Sequence, residues 1–310
     1  MELKNRIKLI EERVEFLYGR LEKCDICPRN CKVNRLKGKK GYCGAGRDLV
    51  VYTAFLHQGE EPVITGKNGS GTIFFSGCNL KCSYCQNYKF SHFLIGKVVD
   101  DAGLAKIMLN LQAKGAENIN LVTPTHFLPQ ILKALVTALK EGLKIPIVYN
   151  TSGYEKREII AQIKGIIDIY LTDFKYNAQL TAQTYSNAPD YPIICQESVK
   201  EMYSHNLPLW DGDLLKKGLI IRHLAIPSHT NESKSILSWV KENTPKALIS
   251  VMSQYQPYFK AVNYPKINRV LKLSEYRQIK SFSEDLELQG WVQDLIPEEK
   301  LAGVHFKPQV

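Results

Sequence analysis

Short β-branched runs alternate with amphipathic segments along most of the chain, and no other feature limits the possible folds as strongly. Thr72 to Ser76, Ile119 to Thr123, Ile145 to Asn150, Asp168 to Phe174, Gly218 to Ile226 and Ala247 to Ser253 read as strands. Between them apolar residues recur at helical spacing, as in Leu104, Ile107, Met108 and Leu111, and again in Ile131, Leu132, Leu135 and Leu139. A strand–helix repeat of this kind gives a parallel sheet joined by right-handed crossovers. Six units fit a doubly wound sheet or an open, incomplete barrel, and periodicity does not separate the two. In either, loops at the carboxyl ends of the strands converge on one face, where chemistry collects.

Those ends are polar in every unit. They read Ser76-Gly77-Cys78, Thr123-Pro124-Thr125-His126, Asn150-Thr151-Ser152-Gly153, Asp173-Phe174-Lys175, Arg222-His223 and Ser253-Gln254-Tyr255. Asp173 and Lys175 lie two residues apart on a strand and project the same way, either as a solvated ion pair or as a ligand contact. Arg222 offers a guanidinium that can clamp a carboxylate bidentately. His223 reads equally as a satisfied core histidine, and His126 is a candidate to face a substrate.

The 310 residues, 44% hydrophobic and 23% charged, suit a folded protein with one large core. Leu3, Ile7, Ile10, Val14, Leu17 and Leu21 mark one face of an N-terminal helix that lacks the apolar core of a signal peptide. Charges interrupt every hydrophobic run, so no membrane span is expected. A soluble, cytoplasmic protein is the expectation. The net charge of +10 favours an anionic partner, nucleic acid included, but also serves solubility. Lys32, Arg35, Lys37, Lys39 and Lys40 form a local basic group, read either as a patch or as a solvated loop. Residues 177 to 216 break the strand–helix rhythm and are expected to form a helix-containing insertion, and residues 281 to 310 to wrap the core.

Seven of the eight cysteines fall in two tight groups before residue 86, a distribution of metal sites and not of a disulfide framework. Cys195 stands alone and reads as a buried inert thiol. In the second group Cys78, Cys82 and Cys85 follow the first strand with C-x3-C-x2-C spacing. Three thiolates can hold three irons of a cubane cluster and leave the fourth open. Zinc completed by a residue such as His92 is the competing reading, and it ranks below iron–sulfur because structural zinc ligands usually come as paired C-x2-C knuckles.

The segment from Gly77 to Asn87, with Tyr84 just before the third cysteine, resembles the signature loop of radical S-adenosylmethionine (SAM) enzymes, and within them the activating enzymes of pyruvate formate-lyase. The resemblance covers roughly residues 70 to 260. It implies the partial (β/α)6, TIM-like barrel of that superfamily, an α/β fold here preceded by a helical, cysteine-rich extension. It implies a [4Fe-4S] cluster on Cys78, Cys82 and Cys85, with SAM chelated at the open iron and cleaved reductively to a 5'-deoxyadenosyl radical that takes hydrogen from a substrate. An electron donor such as flavodoxin or ferredoxin is implied as partner. Tyr84 is then expected near the SAM adenine, and Asn150, Ser152, Asp173, Lys175 and Arg222 among the cofactor contacts. Where the superfamily usually carries a Gly-Gly-Glu-type edge for the SAM amino group, this chain has Thr123 and Thr125 and no carboxylate.

Cys24, Cys27, Cys31 and Cys43 supply four further thiols, enough for zinc or for an auxiliary iron–sulfur cluster. A comparable leader occurs in a branch that resembles the activating enzymes. The expected organisation is a metal-binding N-terminal segment over 1–66, the barrel over 67–270 and a C-terminal wrap over 271–310. The expected activity is that of a radical SAM oxidoreductase resembling those activating enzymes, acting on a glycyl-radical-type protein. RNA or small-molecule modification by the same chemistry, and a zinc-stabilised binding protein without activity, are the alternatives.

Overall fold

The computed structural model describes residues 2–295 and 305–308. Ten strands are present among them: β1 (Leu49–His57), β2 (Ser70–Phe75), β3 (Lys97–Val99), β4 (Ile119–Val122), β5 (Ile147–Thr151), β6 (Ile169–Asp173), β7 (Leu209–Asp211), β8 (Leu214–Leu224), β9 (Leu248–Met252) and β10 (Gly290–Val292). The sheet runs β10-β9-β8-β6-β5-β4-β2-β1-β3, with β7 hairpinned onto β8. The six expected strands are β2, β4, β5, β6, β8 and β9, and each pairs in parallel with the next. The resulting sheet is unclosed, a partial TIM-like barrel.

Helices α1 (Leu3–Gly19), α2 (Pro62–Thr65), α3 (Tyr88–Ser91), α4 (Asp101–Ala113), α5 (Leu128–Lys140), α6 (Arg157–Gln162), α7 (Gln179–Ser186), α8 (Tyr191–Tyr203), α9 (Thr230–Asn243) and α10 (Leu273–Asp285) complete the chain. The expected N-terminal helix is α1, which buries Ile10 and Leu17 and packs against α5. At its start Arg6 donates to Asp168 at 2.8 Å, tying it to the approach of β6. The insertion holds α7, α8 and β7.

Side chains two apart on a strand share a face, so the barrel interior is set by alternation. Lower in the lumen it is apolar, with Val148, Ile169, Leu171, Ile220 and Leu248 packed around Ile64 of α2. One step further along the same strands it turns polar, giving Asn150, Asp173 and Arg222. The short helix α2 therefore plugs the barrel from below, anchored where Asn118 Nδ2 donates to the Ile64 carbonyl at 2.6 Å. β1 is antiparallel to β2, with His57 opposite Ser70.

Among the described residues no helix is long and apolar enough to cross a membrane.

Candidate active site

The loop after β2 has to turn back over the strand ends within a few residues, and backbone conformation shows how. Gly77 has φ +85°, and a Cβ there would stand 2.6 Å from the Cys43 carbonyl, so only glycine lets the two cysteine groups approach this closely. Lys81 also adopts a positive φ of 53°. Cys78, Cys82 and Cys85 all line one cavity of about 200 Å³ at the strand ends. The Leu80 N–H donates to Cys78 Sγ at 3.3 Å, and Cys85 Sγ lies 3.3 Å from Ser91 Oγ. Burial pushes the Cys78 thiol up to about 11 and Cys85 up to about 12, each raised further by Cys82.

Tyr84, Thr123, Asn150, Ser152, Asp173, Lys175 and Arg222 line the same cavity. Tyr84 is buried and meets Tyr255 at 5.6 Å between ring centroids, with Tyr176 and Tyr185 edge-on. Thr123 sits at φ +58°, a strained conformation for a β-branched residue, held where its N–H donates to the Asn150 carbonyl at 2.8 Å. Thr125 lies elsewhere: its hydroxyl donates to the buried carboxylate of Glu155 behind the strand ends.

Asp173, Lys175, Arg222 and Asn150 form one network. Lys175 Nζ donates to Asp173 Oδ2 at 2.6 Å, Arg222 Nε to Asp173 Oδ1 at 2.8 Å, and an Arg222 terminal nitrogen to Asn150 Oδ1 at 2.6 Å. Burial alone would raise the Asp173 pKa, but Arg222 and Lys175 outweigh it and hold the carboxyl below its ordinary value. Burial likewise acts to lower Lys175, and Asp173 more than offsets it, leaving the amine raised.

Two lining residues, Glu60 and Glu61, carried no sequence signal, because they precede α2 in a stretch that reads as an ordinary turn. Glu60 accepts from Arg222 at 3.4 Å. Burial pushes Glu60 up from its ordinary value, and pushes Glu61 up to about 7. His57, at the end of β1, accepts from the Gly59 N–H on Nδ1 and is driven down to about 4 by burial.

Asn87 Oδ1, Ser152 Oγ and Gln254 Oε1 are buried in the cavity wall with no hydrogen-bond partner. A buried acceptor left unmade costs roughly 1–3 kcal/mol. These atoms suit a ligand rich in amino and hydroxyl donors.

The histidines noted in the sequence lie outside the cavity. His223 bonds the Phe174 carbonyl through Nδ1 and Ser233 Oγ through Nε2, a satisfied core residue. His126 donates from Nε2 to the Ser76 carbonyl at 2.7 Å. His92 bonds Ser91 Oγ at 3.0 Å. Cys195 is fully buried, and burial pushes its thiol up to about 12.

The first cysteine group folds onto the second through Arg29. Its guanidinium donates to the carbonyls of Asn79 at 2.8 Å, Ser186 at 2.9 Å and Asn187 at 2.5 Å, and stacks 3.9 Å over Tyr42. Cys24, Cys27 and Cys43 are buried. Burial raises Cys27, and Cys43, Cys24 and Cys31 around it raise it further. Burial also raises Cys43, against the pull of Arg35. Of the basic group between these cysteines, Lys32, Lys37, Lys39 and Lys40 are exposed, whereas Arg35 is fully buried with both terminal nitrogens unpartnered. Among the described residues no three His, Cys, Asp or Glu side chains are already gathered to hold a metal ion.

A sequence profile of the Radical SAM superfamily matches residues 72–177, from β2 and its cysteine loop through Asp173 and Lys175. The uncharacterized protein MJ0674 of Methanocaldococcus jannaschii is 32% identical over 290 residues, covering 90% of this chain and 80% of that protein. A radical SAM methyltransferase from Sphaerobacter thermophilus has a similar fold, with a TM-score of 0.50 at 10% identity. The match covers 72% of this chain and 66%, just under two thirds, of that one, and at this identity it bears on the fold alone. The superfamily profile falls on the strand, the cysteine loop and the polar strand ends that build the cavity, and the chain carries a radical SAM superfamily domain over those residues.

Proposed function

We propose that Cys78, Cys82 and Cys85 hold a [4Fe-4S] cluster and that the cavity beside them takes SAM. The observation that carries this reading is the meeting of all three thiols with unpartnered buried acceptors in one cavity. When bound and reduced by one electron from a flavodoxin- or ferredoxin-type donor, this pair supplies a 5'-deoxyadenosyl radical for hydrogen abstraction. The residues of the chain do the rest. Arg222, fixed by Asp173 and Asn150, presents a charge for the SAM carboxylate, Tyr84 packs beside the adenine, and the hydroxyls of Ser152 and Thr123 take up donors of the cofactor. The aromatic cluster around Tyr84 keeps water from the reacting atoms.

Activation of a glycyl-radical-type protein is the transformation we carry forward, supported by the likeness of the Gly77–Asn87 loop to the activating enzymes. We further assign a second metal to Cys24, Cys27, Cys31 and Cys43, drawn together on binding. The buried Arg35 beside Cys43, whose Nε donates to the Gly46 carbonyl at 3.0 Å while both terminal nitrogens lack a partner, supports this, since a tetrathiolate centre would supply its missing counter-charge.

Anaerobic reconstitution tests both assignments. Cys82→Ala is expected to abolish 5'-deoxyadenosine formation from SAM and to lower iron content, while Cys43→Ser removes only the second metal. Undiminished 5'-deoxyadenosine from Cys82→Ala would sink the cluster assignment.

A further inference from the structure

The cavity has a second polar end, built from the turn after β1 and not from the cysteine loop. Because β1 runs antiparallel to β2, the segment after His57 emerges at the opposite end of the sheet from the cysteine loop and turns back beneath the lumen. There α2 seals the barrel with Ile64, and Glu60 and Glu61 stand above that plug as the floor of the cavity.

These carboxylates are only partly accounted for by their neighbours, although Glu60 lies within hydrogen-bonding reach of Glu61 and Asn120. Arg222 gives its short bonds to Asp173 and Asn150 and reaches Glu60 only at 3.4 Å. Glu61 is 4% exposed, and its Oε2 has no hydrogen-bond partner. Among the described residues that line the cavity three carboxylates face two cations, Lys175 and Arg222, and His57 is held neutral by burial at physiological pH. Burying an uncompensated carboxylate is costly, which is why burial raises both acids, and a positive group placed here would relieve that cost.

The wall beside the carboxylates specifies what kind of cation. Phe74 and Phe306 line the cavity and meet at 5.0 Å, with His57 edge-on to Phe306 at 5.5 Å, and Phe55 backs Phe306 at 5.1 Å from outside the lining. A divalent metal ion seeks a shell of six or more oxygens and gains nothing from phenyl rings. An organic ammonium on a methylene stem uses both surfaces, its charge on the carboxylates and its stem and positive edge against the rings.

We infer that Glu60 and Glu61 form a substrate subsite for a primary ammonium group on a short aliphatic stem, carried by a small amine or by a lysine side chain. This rests on the radical SAM reading, which places the radical at the opposite, cysteine-lined end. The subsite is the recognition element that sets which substrate is presented to it.

The test uses the reconstituted, SAM-loaded protein. Calorimetric titration with butylammonium is expected to saturate, whereas butyrate and butanol do not compete. Acetyl-Gly-Lys-Gly-amide binding more tightly than butylammonium assigns the group to a protein side chain, and equal or weaker binding assigns it to a small amine. Glu61→Gln keeps the shape and is expected to weaken butylammonium at least tenfold. Phe306→Leu, which keeps an apolar wall without the ring face, is expected to weaken it about threefold. No saturable binding to the wild type, equal affinity in Glu61→Gln, displacement of the amine by SAM, or Mg²⁺ saturating the site in its place would each overturn the inference. Failure of the underlying reading is seen separately, as absence of 5'-deoxyadenosine from the wild-type protein.

Discussion

Asp173, Lys175 and Arg222 show how strand geometry alone can assemble a charged site. Asp173 and Arg222 are registered partners across β6 and β8, and Lys175 follows two residues on. All three were legible in the sequence, because a period of two fixes which residues share a face. Glu60, Glu61 and Glu155 were not. Each is a carboxylate whose meaning comes from a neighbour distant in the chain, and no local spacing marks it. Glu155 is fully buried, accepts from the hydroxyls of Thr125 and Thr151, and leaves Oε2 unpartnered. Burial pushes it up to about 7, with the two threonines pulling partly back. An acid whose folded pKa exceeds its unfolded one stabilises the fold fully below the unfolded value near 4.5. That stability is lost as pH rises through 7, by on the order of 3 kcal/mol. Glu155→Gln is therefore expected to flatten the decline in the urea midpoint between pH 5 and 8.5 relative to wild type. Parallel pH profiles for the two proteins would contradict this.

At the scale of elements, the strands that periodicity revealed are the six of the βα repeat, and those it missed are the antiparallel β1, β3 and β7 and the parallel margin strand β10. Three of the four have only three residues, too few to show alternation. β1 is longer, but it lies outside the βα repeat and pairs backward onto β2, and strand partners are not written into a single run of residues. The docking of the first cysteine segment was equally hidden. Arg29 joins three separate pieces of chain, the Cys24–Cys43 segment, the main cysteine loop and the end of α7. Hydrogen bonds to a charged donor contribute about 1.5–3 kcal/mol each, not additively. Arg29→Ala should thus lower stability by about 2–3 kcal/mol and reduce iron retained at the main loop, although it touches no thiol. Arg29→Lys keeps the charge without the planar fork and should recover only part of the loss. Chemical denaturation with iron analysis checks both variants. Wild-type iron content in Arg29→Ala would show that the two cysteine segments behave independently.

The whole molecule is assembled so that distant parts of the chain share one cavity. Its cysteines come from the loop after β2, its charged network from β5, β6 and β8, its floor from the turn after β1, and one aromatic wall from Phe306. The Tyr52 hydroxyl donates to the Phe306 carbonyl at 2.9 Å and so fixes that residue against β1. A chain ending at Leu295 is expected to fold, because Phe306 packs on a sheet already complete. It should bind butylammonium at least threefold more weakly than the full chain. Full affinity after this truncation would show that the aromatic wall plays no part in binding.

The barrel is also left unjoined, with the three-residue strands β3 and β10 at its two margins. A closed ring of strands admits only what can be passed end-on through its mouth. A seam along one side lets a long polymer lie crosswise over the lumen and lower a single side group into it. The limit on size then falls on the group that reaches down, and the molecule that carries it can be of any length.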